Sequence, residues 1–224
     1  MSDIFESFSS SAAYFASGTL ATLELVALAL LIGFVFGMIL TMGQVYGPKP
    51  VRAVVAAYVW FFRGLPNLIL LFMFYFIFIP TAPVFVVAVI VLGMRSAAYQ
   101  SQIFRGVIQG ISEGQMQAAL SLGMTKSQAV RNIIIPQALR LALPSWANEY
   151  PVLLTDSAIA SAIGVTELLT SVQHRVAATG DAFVLYVGCA VIFILLNYGG
   201  MLLLQKIEQR VRIPGFGNNE GELL

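Results

Sequence analysis

Between residues 183 and 204 the chain carries no charged side chain. A helix needs roughly 20 mostly apolar residues to cross the hydrocarbon of a bilayer, and this stretch is long enough. Four more stretches qualify, at about 19–42, 54–79, 84–104 and 133–154, the last interrupted by Pro136, Pro144 and Pro151. Most are apolar on every face, so they read as spans and not as helices lying on a membrane surface. Composition agrees: 58% of the residues are hydrophobic and 10% are charged, where a soluble domain carries about 25% charged residues. The expected fold is an all-α integral membrane protein with about five transmembrane helices.

Orientation follows from lysine and arginine, which concentrate on the cytoplasmic side of a membrane protein. Lys49 and Arg52 fall between the first two stretches, Lys126 and Arg131 between the third and fourth, and Lys206, Arg210 and Arg212 after the fifth. The N-terminal arm has Asp3 and Glu6 and no basic residue. This pattern places the N-terminus outside and the C-terminus in the cytoplasm. It divides the chain into an extracytoplasmic arm (1–18), a transmembrane domain (19–209) and a cytoplasmic tail (210–224), whose glycine-rich part is expected to be mobile. The first basic residue is Lys49, so a cleavable leader with a basic flank is not expected.

Several function classes drop out. The net charge of +1 offers no field for nucleic acid. One cysteine, Cys189, and one histidine, His174, supply neither a disulfide nor a metal site. The absence of a GxxxxGK[ST] phosphate loop argues against ATP binding by this chain. No nucleophile and base stand in a pattern that would support a membrane enzyme, so no catalytic residue is expected.

The link between the third and fourth stretches is built as two short helices. Ser112 with Gln115 forms a capping-box pattern, Gly123 supplies a stop, and Thr125 with Gln128 starts the next helix. A short helix at about 112–123, standing at the membrane surface, suits docking into a partner's groove. A well-capped connector is the alternative. A DNA-binding helix-turn-helix is disfavoured by the scarcity of basic residues from Glu113 to Arg131.

The same link carries a resemblance. Gln117-Ala118-Ala119, then Gly123, then Ile134-Ile135-Pro136 resembles the EAA signature of ABC importer permeases, with Gln117 where the family has an acidic residue. Tyr58-Val59-Trp60-Phe61-Phe62-Arg63-Gly64-Leu65-Pro66, Arg95-Ser96-Ala97-Ala98-Tyr99, Ile103-Phe104-Arg105-Gly106, Pro136-Gln137-Ala138-Leu139-Arg140 and Ile163-Gly164-Val165-Thr166-Glu167-Leu168-Leu169 are similar to the polar amino acid branch. The resemblance implies a type I importer permease of a prokaryotic cytoplasmic membrane. It implies coupling through Gln117, Ala118, Ala119, Gly123 and Pro136, a second permease (identical or sibling), and an outer solute-binding protein. Two ATPase subunits, which would hold the ATP and magnesium, are implied as well. An ATP-independent secondary transporter or channel subunit is the alternative; such transporters commonly show inverted repeats, and none is visible here.

Charge inside an apolar stretch costs on the order of 2.5–3.5 kcal/mol on insertion scales and usually faces a cavity or partner. Arg95, with Ser96 and Tyr99 nearby, and Glu149 and Asp156 on one helical face with Leu153 are therefore the candidate substrate contacts. Arg95 suits a carboxylate; Glu149 or Asp156 suits an ammonium group. An Arg95–Glu149 pair that merely joins two helices is the alternative. Glu24 is a weaker candidate. Gly33 and Gly37 suit close helix packing. Arg63-Gly64-Leu65-Pro66 is expected to mark an irregular helix, and the aromatic run 72–76 to face lipid or fill space.

Overall fold

A computed structural model describes residues 11–211. The acidic arm with Asp3 and Glu6, and the tail from Arg212 onward, lie outside the described residues. Among the described residues the chain is helical with no strand: α1 Ala12–Tyr46, α2 Lys49–Gly64, α3 Asn67–Met73, α4 Val84–Gly110, α5 Glu113–Ser121, α6 Lys126–Ala129, α7 Ile135–Ala147, α8 Glu149–Ser157, α9 Leu168–Thr179 and α10 Ala182–Val211. Wider π-turns follow α3 (Phe74–Phe78) and α6 (Val130–Ile134), and a 3₁₀ turn, Ala158–Ile163, follows α8.

Three helices, α1, α4 and α10, are each long and apolar enough to cross a membrane. Two bent pairs bring the number to as many as five. The stretch 54–79, expected as one span, is broken: α2 and the segment Asn67–Phe78 meet at 110°. Pro66 has no N–H to continue the ladder and holds Leu65 in an extended conformation (φ −105°, ψ 142°), so the helix must stop there.

The stretch 133–154 also divides differently from the expectation. α7 ends at Ala147, and the helical path from Glu149 to Ile163 joins α9 at a 51° bend. Residues 155–179, expected to be largely connecting chain, are thus mostly helical. Polar Gln173, His174 and Arg175 lower the mean apolarity of α9, which is why an apolar window passes over it.

The core forms where α1 lies along α4. Thr22, Leu25, Val26, Ala29, Gly33, Gly37 and Thr41 make one buried stripe down α1. The expected role of the two glycines is met at this contact. A Cβ on Gly33 would come within 2.8 Å of Ser96 Oγ, and one on Gly37 within 3.2 Å of the Ala97 carbonyl oxygen. The Thr41 hydroxyl sits 2.7 Å from the Gly37 carbonyl and 3.1 Å from that of Ser101, pinning the helices below the glycines.

Around this pair Leu70, Leu71, Leu153 and Leu154 close the core. A smaller cluster of Phe15, Leu168, Val172, Leu185 and Cys189 ties α9 and α10 to the start of α1. Cys189 is a buried packing residue. α10 leaves most of its apolar surface uncovered, with Phe183, Ile194, Leu195 and Tyr198 all exposed. The aromatic run splits: Phe74 and Tyr75 pack on the core, while Phe72 and Phe76 face outward.

Candidate functional site

Polar groups gather where α4 crosses α8. Arg95 donates from Nη1 to Asp156 Oδ2 at 2.8 Å, and Ser96 donates to Glu149 Oε2 at 2.8 Å. The sequence left an Arg95–Glu149 pair open; the structure pairs Arg95 with Asp156 instead. Neighbouring residues on a helix point about 100° apart, so Arg95 and Ser96 meet different turns of α8. Arg95 and Asp156 keep 19% and 17% of their side-chain surface accessible, so the pair borders open space. Arg95 Nε is buried without a hydrogen-bond partner, as is Asn67 Oδ1 at the start of α3.

Tyr99, one turn on from Arg95, stands beside it with the guanidinium carbon 4.7 Å from the ring centroid. Arg63, in the last turn of α2, puts its own guanidinium carbon 4.8 Å from the same ring. The break at Pro66 therefore positions a second cation at this site, and the sequence signalled only an irregular helix there. Arg63, Arg95 and Asp156 all lie within Coulombic range of Glu149. All five residues expected at the site, Arg95, Ser96, Tyr99, Glu149 and Asp156, fall in this one cluster. Glu24 is exposed on α1 and lies apart from these contacts.

Behind Glu149 runs a hydrogen-bond string that the sequence did not indicate. Trp146 Nε1 donates to Gln100 Oε1 at 2.7 Å, and Gln100 Nε2 donates to Ser96 Oγ at 2.9 Å. The Ser96 hydroxyl then donates to Glu149, so every donor points toward one carboxylate. Such a chain is mutually polarising and fixes the carboxylate's position. Gln100 stands four residues from Ser96, a helical spacing that was readable once a polar face on α4 was suspected.

The link after α4 has the expected two-helix form, with one difference at its first cap. The Ser112 hydroxyl accepts from the Gly114 N–H at 3.3 Å, and the reciprocal Gln115 bond is not made. Thr125 and Gln128 do form a complete capping box. Gly123 ends the turn after α5 at φ +82°, where a residue with a Cβ is strained. Gln117, Ala118, Leu122 and Gly123 are exposed, whereas Ala119 is 1% exposed and faces inward. Pro136 is exposed at the start of α7, directly after the π-turn Val130–Ile134.

Beneath α5 a cavity of about 240 Å³ is lined by Tyr46, Ile108, Met116 and Ile134 among others. It joins α5 to the last turns of α1 and α4. Lys126 lies over the Tyr46 ring at 5.9 Å, so the basic links on either side of these helices occupy one end of the bundle. A further apolar groove of about 440 Å³ runs between α1, α4 and α7, bounded by Phe34, Leu143 and Trp146.

The motif Ile163-Gly164-Val165-Thr166-Glu167-Leu168-Leu169 has a structural explanation. Gly164 turns the chain at φ +89°, and fully buried Glu167 caps α9. Its two carboxylate oxygens accept from the N–H groups of Leu169 at 2.8 Å and Thr170 at 2.9 Å. Among the described residues no group of three His, Cys, Asp or Glu side chains is placed to hold a metal.

Residues 15–213 match the family of the binding-protein-dependent transport system inner membrane component. The chain belongs to this family. It is a membrane-spanning permease subunit of such a transport system, and the resemblance carried by Gln117-Ala118-Ala119, Gly123 and Pro136 is borne out. A probable amino-acid ABC transporter permease protein, PatM of Vibrio harveyi, is 32% identical over 193 residues, covering 84% of this chain and 85% of the relative. The octopine transport system permease protein OccQ of Rhizobium meliloti is 30% identical, covering 79% and 81%. A crystal structure of an amino acid ABC transporter with histidines matches with a TM-score of 0.84 at 34% identity, over 92% of this chain and 98% of that one. The permease architecture is therefore the family's own.

Proposed function

We propose that this permease moves polar amino acids into the cytoplasm, driven by two separate ATPase subunits that hold the ATP and magnesium. A second permease, identical or sibling, completes the pathway, and an extracytoplasmic solute-binding protein delivers the substrate. The basic end of the bundle faces the cytoplasm and the N-terminus lies outside. One observation carries the substrate assignment. Arg95, Tyr99, Glu149 and Asp156 form a partly open cluster of both charges within otherwise apolar helices. A zwitterion presents the complementary pair, and an uncompensated charge at this depth costs enough that such a cluster needs a use. Ser96 holds Glu149 in place for the ammonium group, while Arg95 can take a carboxylate through a forked hydrogen bond.

The energy input enters at α5. Its exposed face, with Gln117 and Ala118, docks into the ATPase cleft together with the Gly123 turn that follows, and its buried face presses on the ends of α1 and α4. Pro136 marks where the following helix turns into the membrane. Movement of the ATPases is then passed to the two helices that carry the core stripe.

The test is co-purification followed by reconstitution. The tagged chain, extracted mildly from its host, should bring down a Walker-type ATPase. Proteoliposomes of that complex with the binding protein should take up labelled histidine, arginine, glutamine, glutamate or octopine only with ATP present. A chain that emerges alone and conducts uptake without ATP would overturn the proposal in favour of a secondary transporter.

A further inference from the structure

We propose that the apolar groove between α1, α4 and α7 binds an anionic phospholipid, with an acyl chain in the groove and the phosphate on Arg140. The groove holds about 440 Å³, and Arg140 is the charged residue in its lining. Arg140 closes the run Pro136-Gln137-Ala138-Leu139-Arg140, and neither the polar cluster nor the docking link uses it. It is exposed and makes no ion pair among the described residues. Aromatic rings form the floor. Phe34 meets Phe104 and Trp146 edge-on, with ring centroids 5.7 and 6.0 Å apart. Leu31, on the α1 side, is 59% exposed, so the groove lies open along its length.

Depth favours a lipid over a soluble ligand. Leu31 stands near the middle of α1, a helix long and apolar enough to cross the membrane. Arg140, Leu143 and Trp146 follow at three-residue spacing on α7, which puts Arg140 about 9 Å along the axis from Trp146. Half the hydrocarbon of a bilayer is about 15 Å, and an arginine side chain covers the remainder by snorkelling. The groove therefore runs from mid-bilayer to headgroup level, as an acyl chain does. Val211 borders it where the end of α10 carries Lys206, Glu208 and Arg210, two bases against one acid. Basic pockets between spanning helices suit anionic headgroups. A protein face seated on the groove would have to bring a carboxylate for Arg140, whereas the phospholipid arrives with its phosphate.

The occupant bears on the polar cluster. One face of Trp146 belongs to the groove, while its Nε1 donates to Gln100 at 2.7 Å and heads the string that ends on Glu149. A chain packed on Trp146 holds that donor in place. This consequence rests on the substrate role given above to Glu149; the lipid site does not.

The experiment photolabels the assembled importer, ATPases included, in phosphatidylcholine nanodiscs. The probes are phosphatidylglycerol and phosphatidylcholine with the same diazirine-bearing acyl chain, and labelled residues are read by peptide mass spectrometry. Leu31, Leu139 and Leu143 should take about fivefold more label from the phosphatidylglycerol probe, the preference that one nearby basic residue confers. Arg140→Gln should bring that ratio close to one, and Arg140→Lys should keep most of it. Leu143→Trp fills the groove and should lower labelling by both probes. Equal labelling by the two probes in the parent, or a ratio unmoved by Arg140→Gln, would overturn the site. So would a groove that neither probe labels, the outcome expected if a second permease covers it.

ATP-driven uptake in proteoliposomes then reads the consequence. Adding phosphatidylglycerol to phosphatidylcholine should lower KM for the transported amino acid at least roughly twofold in the parent and leave Arg140→Gln unmoved. A parental KM indifferent to phosphatidylglycerol would remove the link from groove to string. Labelling needs no substrate, so failure of the amino acid assignment would leave the lipid site standing.

Discussion

The Ser96 hydroxyl on α4 donates a 2.8 Å hydrogen bond to Glu149 on α8, and both residues are buried. This bond is where the substrate proposal is most exposed to test. Glu149→Gln preserves size and can still meet Ser96, but it removes the charge. Transport of every substrate should fall at least roughly tenfold, the loss expected for one charge-assisted contact, while the complex still assembles by size-exclusion chromatography. Unchanged uptake kinetics across the amino acid panel would remove Glu149 from the site.

Ser96→Ala separates positioning from charge. It leaves Glu149 without its hydroxyl donor and breaks the string from Trp146 through Gln100. A hydrogen bond to a buried charged group contributes about 1.5–3 kcal/mol. The purified complex should unfold at lower temperature, and uptake should fall less steeply than in Glu149→Gln. Equal stability of the variant and the parent would show that the string does not hold the carboxylate.

Much of this site is legible in the sequence. Arg95, Glu149 and Asp156 stand out because charge in an apolar run is costly. Thr125 and Gln128 stand out because caps have a fixed spacing. What was not legible depends on register between helices. No sequence spacing tells whether Arg95 meets Glu149 or Asp156, since both lie on one face of α8 and the choice is set by how α4 slides along it. Arg63 was visible only as part of a proline-broken helix, because the 110° angle that brings it to Tyr99 is a tertiary quantity. Glu167 looked like one more acid in a motif; its burial beneath the first turn of α9 gives it a reason that periodicity does not express.

Gly33 supplies the room in which the string is built. A Cβ there would lie 2.8 Å from Ser96 Oγ and 2.9 Å from Ser96 Cβ, and the latter is too close to the α4 backbone to move aside. Gly33→Ala should therefore destabilise the complex by about 1–3 kcal/mol through overpacking. Gly64→Ala, at a glycine whose Cβ would meet nothing within 4 Å, is the steric control. A thermal shift of the same size in both variants would remove the close approach as the cause.

Ala118 and Ala119 are neighbours on α5 with opposite surroundings, and this makes the docking proposal separable from simple packing. Ala118 is exposed, so Ala118→Leu leaves the isolated permease intact and blocks the face offered to the ATPase. ATP hydrolysis should lose its dependence on transport, with little change in permease stability. Ala119 is 1% exposed, so Ala119→Leu overfills the underside of α5 and should lower stability by about 1–3 kcal/mol before any coupling is tested. Gly123→Val belongs with Ala118: nothing lies near its added side chain, but its φ of +82° is strained for any residue with a branched Cβ. The turn should distort and coupling should fail with the rest of the fold preserved. Transport-coupled hydrolysis at the parental rate in Ala118→Leu and Gly123→Val would mean that the ATPase docks elsewhere and that α5 is only a connector.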